Sequence, residues 1–369
     1  LNIALEPGTK GTMRPTESED ILQFNVTKLA SGLIVAFVIG WLLVLGKSIF
    51  LPVLLGIIGI YILDSTASTI GRVPGLRHIP RRGRRLLALL AIFLMLVLIG
   101  VFLEANAQAV AQNIPQYQTN LKALLDSVMA MLGVKKLPDW STIEQTLAGK
   151  FNILGFVQGT LSTVQGFGTV LMMTILYIVF ILSDLDDMPE KVRKALGDAE
   201  TADRSLKIVA QINQKIGSYL SAKTLINVIL AVISYLIMLL LGIEFAMFWA
   251  ILIGLLNYIP YLGSIVGVLF PVMLSLVQFG GIWHAVVALG ALMAAQLFVG
   301  NFLEPRLVGN SVNLSGFMVL FSLTIWTAMW GLAGTILAIP LTAVVMIILS
   351  QIHSTRPLAI LMSESGELD

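Results

Sequence analysis

With 369 residues, 57% hydrophobic and 12% charged, and a net charge of +2, the chain is far more apolar than a soluble domain, where about a quarter of residues are charged. An ordinary soluble fold is excluded, and so small a charge gives no footing for nucleic acid, so the expected surroundings are a lipid bilayer. The chain has no cysteine, which removes disulfides, thiolate metal sites and a cysteine nucleophile, and its three histidines (His78, His284, His353) lie far apart without an HExxH run. No metal, no cofactor and no enzyme activity are expected.

Residues 1–12 are rich in Gly, Pro and Thr and precede Met13. They read as an added leader to a tail covering residues 1–28, with Met13 the native start. Residues 29–45 form the first apolar run, too long for the core of a cleavable signal peptide. Residues 49–63 follow, with Pro52 expected in the first helical turn, where proline is tolerated. Six arginines (Arg72, Arg77, Arg81, Arg82, Arg84, Arg85) then crowd a short loop. The positive-inside rule places this loop, and with it both chain termini, in the cytoplasm. Residues 86–103 cross outward, completing an N-terminal membrane scaffold over 29–103.

Residues 104–167 are too polar for lipid and read as a small extracytoplasmic helical domain. Leu121, Leu124, Leu125, Val128, Met131 and Leu132 fall on one helical face, and Ser141-Thr142-Ile143-Glu144 has the form of a capping box. Residues 168–183 return to the cytoplasm. Residues 184–222 are charged and amphipathic, with a seam of Leu206, Val209, Asn213, Ile216 and Leu220 at spacings of three and four. That seam suits packing on the body of its own protomer or on a neighbour.

Residues 223–350 carry the most informative pattern. A span (224–241) precedes two apolar arms, 245–256 and 265–276, hinged on the polar break NYIPYLGS at 257–264. A second span (283–302) precedes arms 314–329 and 335–349, hinged on WGLAG at 330–334. A spanning helix needs about 20 apolar residues, so arms of 12 suit a re-entrant hairpin. The second arms, of 16 and 15 residues, leave two short spans open as an alternative. Pro271 and Pro340 occupy similar places after the break glycines, and the two halves repeat with opposite orientation. Inverted repeats with broken helices point to a transporter binding site. The expected fold is therefore an all-α polytopic membrane protein with two re-entrant hairpins. Residues 351–369 form a cytoplasmic tail.

At the first break, Asn257, Tyr258, Tyr261 and Ser264 surround Pro260 and Gly263 and offer polar groups where hydrocarbon cannot satisfy them. A satisfied helix kink is the plainer reading of the same residues. At the second, Thr324 and Thr327 stand with Gly331 and Gly334, among tryptophans that also suit interfacial anchoring. Glu304, Pro305 and Arg306 close the second span. Glu304 and Arg306 are expected to pair, either as local structure or in coupling or gating, because intramembrane ionisable groups are costly. Two look-alikes fail. Gly46-Lys47-Ser48 resembles the end of a phosphate-binding loop, but Trp41 stands where its first glycine belongs. Gly263-Ser264 with His284 is too common a combination to indicate an intramembrane serine protease.

Three ordered motifs, NYIPYLGS at 257–264, GNFLEPRLVG at 300–309 and WGLAGTILAIPLT at 330–342, resemble the AI-2E family of bacterial transporters. The resemblance runs over roughly residues 29–351. It implies a homo-oligomer of the bacterial inner membrane, a pentamer, with an elevator-like transport domain. It also implies export of a small solute, autoinducer-2 or a related signalling molecule. Some members resemble sodium (or lithium)/proton antiporters, so Na+ or H+ enters as a partner in that alternative. A non-transporting membrane scaffold or regulator is the rival of another class; it would leave the break residues replaceable.

Overall fold

The computed structural model describes residues 26–73, 75–131, 153–259, 262–308 and 312–367. Among them every regular element is helical, apart from an isolated bridge between Leu314 and Ser363. The chain divides into two compact units, residues 1–47 and 48–369. Helix α1 (Val26–Leu45) is the described part of the first. Its apolar side chains, among them Phe37 and Trp41, are exposed, as suits lipid contact.

The second unit begins with α2 (Lys47–Ile70), α3 (Arg81–Met131) and α4 (Ile153–Leu185). Because α2 starts at Lys47, Pro52 lies in its second turn, one turn later than expected. Helix α3 has 51 residues, which at 1.5 Å per residue is about 77 Å. It passes residue 104 and Pro115 without ending. The Ala/Gln-rich sequence after residue 103 keeps high helix propensity while its polarity changes, so leaving the bilayer need not end the helix. The capping-box motif at 141–144 lies outside the described residues. Glycines fit α2 against α4: a Cβ on Gly56 would lie 3.3 Å from Tyr177 and one on Gly59 3.0 Å from Ile178. Ile60, Leu63, Ala88, Leu89 and Ile178 form the small core that these helices share.

A short helix, α5 (Met188–Leu196), leads to α6 (Ala199–Leu240), which unites the charged segment and the following span in 42 residues. Asp198 caps α6 by accepting from the Thr201 backbone N–H at 2.8 Å and from its hydroxyl. These bonds hold its carboxyl below the usual carboxylate range, the hydroxyl bond contributing most. Of the amphipathic seam, Ile216 and Leu220 are buried and Val209 is exposed. Asn213 accepts a hydrogen bond from the Tyr61 hydroxyl of α2.

The remainder consists of paired helices. Helices α7 (Ala246–Leu256) and α8 (Leu262–Phe279) pack on each other, α7 also on α6 and α8 on α3. Helix α9 (Ile282–Phe298) passes through a π-helical turn, Val299–Leu303, into α10 (Glu304–Val308). The Glu304 N–H reaches back five residues to the Val299 carbonyl. Pro305, which has no N–H to donate, follows at once, and a π turn is a common way to absorb such a break. Helices α11 (Gly316–Trp330) and α12 (Leu332–Gln351) are joined by the single residue Gly331, and α13 (Arg356–Met362) packs on α12. The second break is thus one residue rather than five. Gly331 has φ +62° and ψ −140°, a conformation open almost only to glycine.

The main core joins α3, α6, α7, α8 and α9 through Val110, Ile226, Leu230, Phe248, Ile253, Val268 and Leu292. Trp249 stacks on Phe270 with ring centres 6.0 Å apart. The Tyr117 hydroxyl of α3 donates to Glu244 at 2.5 Å, tying the long helix to the α6–α7 turn. Tyr117→Phe is expected to lower stability by about 1 kcal/mol, since exposed Glu244 regains water. A denaturant midpoint unchanged from the parent would mean that the tie contributes nothing.

Among the described residues six helices are long and apolar enough to cross a membrane: α2, α3, the Gly168–Leu185 part of α4, α6, Ile282–Val308, and α12. Helix α7, with 11 residues, is about 16 Å long, short of a roughly 30 Å hydrocarbon core.

Candidate functional site

Tyr219, Lys223 and Asn227 follow one another at spacings of four, so they share one face of α6. That face is turned inward: Lys223 is 3% exposed and Asn227 4%. An ammonium so placed needs a partner, because desolvating an ion costs several kcal/mol. It finds one in Glu304, whose Oε1 lies 2.5 Å from Lys223 Nζ. The π turn ahead of Glu304 helps set the direction of this carboxylate. Glu304 itself keeps 34% of its side chain exposed, so the pair is half open.

The tip of the first hairpin meets the same face. Asn257 Nδ2 donates to Asn227 Oδ1 at 2.8 Å, and the hydroxyls of Thr224 and Tyr258 share a hydrogen bond of 2.7 Å. Two glycines make this approach possible. A Cβ on Gly254 would stand 3.0 Å from the Asn227 carbonyl oxygen and 3.1 Å from the Ala231 Cβ. A Cβ on Gly263 would stand 1.9 Å from the Leu256 carbonyl oxygen, so the second arm could not start where it does. Asn227 Nδ2 is buried and has no hydrogen-bond partner, which leaves a donor unspent inside the cluster.

Of the residues singled out in the sequence, Asn257, Tyr258 and Glu304 thus meet around α6. Ser264 is half-buried near the start of α8, while Pro260 and Tyr261 lie outside the described residues. The expected Glu304–Arg306 pair is corrected: Glu304 binds Lys223, and Arg306 and Pro305 are exposed on α10. Residues two apart on a helix point to nearly opposite sides and cannot face each other.

The second tip uses its polar groups within its own hairpin. Thr327 and Thr335 share a hydroxyl bond of 2.7 Å, Trp326 Nε1 donates to Thr342 at 3.0 Å, and Thr324 bonds back to the Leu320 carbonyl. Gly334 repeats the device of Gly263, its Cβ position lying 1.9 Å from the Trp326 carbonyl oxygen.

Sequence reasoning missed Tyr219, Lys223, Thr224 and Asn227. One signal was available: a lysine four residues ahead of an asparagine, at the head of a stretch otherwise free of charge through Leu240. The cluster leads to a direct expectation. Asn227→Ala removes the acceptor of Asn257 and the unspent donor together, and should cut any flux through the protein more than tenfold. Thr224→Val, which takes only one hydroxyl from Tyr258, should cut it less. Equal effects in a vesicle flux assay would argue against a specific role for the asparagine pair.

Among the described residues, six span-length helices, shorter ones packed against them, and a half-open charged pair between them define a multi-pass membrane protein. Its class is that of the membrane transport proteins. The chain belongs to the AI-2E transporter family, whose model matches residues 32–354. A similar protein is the AI-2 transport protein TqsA of Escherichia coli (strain K12), 28% identical over 79% of this chain and 85% of that one. YhhT of the same organism is 30% identical over 57% of this chain and 59% of its own. A protein of Borreliella burgdorferi is 28% identical over 69% of each.

Proposed function

We propose that the protein is a secondary transporter exporting a small polar solute, autoinducer-2 or a related signalling molecule, by alternating access. The observation that carries this reading is the polar cluster on α6, where Lys223, Thr224 and Asn227 hold Glu304, Tyr258 and Asn257 inside an apolar chain. The named function of TqsA supports the solute class. Hydroxyl or carbonyl oxygens of the solute would accept from Asn227 Nδ2 and compete for Asn257. Tyr258 and Tyr261 would bound it, Ser264 would bond it, and Thr324 and Thr327 would face it from the second tip. In this mechanism both hairpins are re-entrant, Gly263, Pro260, Gly331 and Gly334 keep their tips tight, and residues 223–350 move as an elevator-like inverted repeat. The scaffold of 29–103 stays in place within a pentamer of the inner membrane.

A second reading is a sodium (or lithium)/proton antiporter, and the buried Lys223–Glu304 pair favours it. A cation taken up by the Glu304 carboxylate would displace the Lys223 ammonium, which then sheds its proton to the side from which the cation came, so that the two ions cross in opposite directions.

One preparation tests both. Purified protein in liposomes loaded with autoinducer-2 should show saturable efflux. The same vesicles under a Na+ or Li+ gradient, with an internal pH dye, should show no cation-driven pH change. The reverse result selects the antiporter, and no flux of either kind selects the scaffold. Topology is tested in this cysteine-free chain by single substitutions. Thr119→Cys should react with an impermeant thiol reagent on intact cells and His78→Cys should not; the opposite labelling would invert the orientation.

A further inference from the structure

Apart from that cluster, α2, α3 and α4 enclose a groove with a graded lining. Its apolar part is a cavity of about 200 Å³ lined, Thr174 apart, by apolar residues, including Leu55 and Ile62 of α2, Phe93 and Leu96 of α3, and Ile175 of α4. Along α3 and α4 a second hollow of about 260 Å³ continues it, with Leu89 lining both, and ends among Arg82, Arg85, Ser183 and Asp186. From Leu96 to Arg82 the helix rises about 21 Å, enough to take one acyl chain from mid-bilayer to the headgroup level.

The charged end is built around arginine. Arg85 is buried and held by both oxygens of Asp64, at 2.7 and 3.1 Å. Arg82 meets Asp186 at 3.3 Å, but both side chains are largely exposed. Such a pair contributes little and is readily exchanged for a stronger anion. A neighbouring hollow of about 330 Å³ adds Arg72, Arg81 and Arg84. Arg84 Nε is buried there without a hydrogen-bond partner. Five arginines therefore surround two carboxylates, and the surplus is positive at the end where the apolar lining stops.

We infer that this groove holds one glycerophospholipid with an anionic headgroup, one of its two acyl chains in the apolar cavity and its phosphate against Arg82 and Arg85. Arginine recognises a phosphate through paired N–H donors, and the apolar cavity supplies what a free phosphate could not use. The site is independent of the transport cluster and does not require it to move a solute.

The test uses the purified, delipidated full chain. Retention of palmitoyl-oleoyl phosphatidylglycerol is measured by native mass spectrometry and by thermal shift, against phosphatidylcholine with the same chains and against glycerol 1-phosphate. Phosphatidylglycerol should be retained about 25-fold better than phosphatidylcholine, as expected when an anionic lipid meets two arginines, each contributing about fivefold. Arg82→Gln should reduce that preference about fivefold. Leu96→Trp, which fills the cavity, should weaken both lipids alike. Thr174→Val, which keeps the volume, should retain binding, because an acyl chain has no use for the buried, unpartnered Thr174 hydroxyl in the cavity wall.

Four results would overturn the proposal. Equal retention of the two lipids would remove the charge recognition. Protection by glycerol 1-phosphate as strong as by the lipid would leave a phosphate site only. Loss of binding in Thr174→Val would indicate a small polar ligand. A Phe93→Cys disulfide between protomers in native membranes would show a second copy over the groove.

Discussion

Glu304→Gln is expected to destabilise the protein by about 3–5 kcal/mol, toward the lower end because Glu304 is partly exposed. The loss comes less from the broken bond than from Lys223, which is left charged, buried and unpaired. Lys223→Met should cost less, since the remaining carboxylate can reach water through its exposed side. The double variant Lys223→Met/Glu304→Gln should recover most of the loss, because a neutral pair of similar size removes the desolvation penalty altogether. Arg306→Gln, changing an exposed residue without an ion pair to Glu304, should fall within about 0.5 kcal/mol of the parent. Thermal or denaturant unfolding of the parent, the Lys223 and Glu304 single variants and the double variant forms a double-mutant cycle, with Arg306→Gln measured beside it. Strict additivity of the Lys223 and Glu304 changes would show that the two do not act together, and a large loss in Arg306→Gln would restore the pairing first expected.

The second large effect falls on the hairpin glycines. Gly263→Ala and Gly334→Ala each place a Cβ 1.9 Å from a backbone carbonyl oxygen, that of Leu256 and that of Trp326. Backbone cannot swing aside as a side chain can, so the arms must separate. The cost should reach or exceed the roughly 1–3 kcal/mol typical of overpacking. Gly290→Ala is the control: it is helical, and nothing stands within 4 Å of its Cβ position. There the change should stabilise by about 0.5–1 kcal/mol through helix propensity. Similar stabilities for all three variants would mean that the tips are looser than their geometry indicates.

The hairpin pairs were legible because a break in an apolar run is a local signal, and glycine and proline are its letters. The all-helical fold followed from the same runs. Their edges were less legible. Trp330 and Leu332 belong to helices, since a single Gly331 in its special conformation makes the turn that five residues were expected to make. Boundaries expected at residues 103 and 222 fall inside α3 and α6, because polarity changes along a helix without ending it. Half of the candidate site was visible, in Asn257, Tyr258 and Glu304. The other half, on α6, was not, since Lys223 meets Glu304 across 81 positions and Thr224 meets Tyr258 across 34. No local periodicity encodes such a meeting. Glu304 was given Arg306 as partner for want of that distant knowledge.

The claim that the α6–hairpin cluster is a transport site is tested most directly by Asn257→Ala. Its side chain bridges the tip to Asn227, and its removal leaves the hairpin glycines and the Lys223–Glu304 pair untouched. Autoinducer-2 efflux should be compared for parent and variant in liposomes holding equal amounts of folded protein. The account predicts saturable efflux in the parent and at least a tenfold loss in Asn257→Ala, with unfolding temperatures within a few degrees of each other. Equal efflux from the two would contradict it.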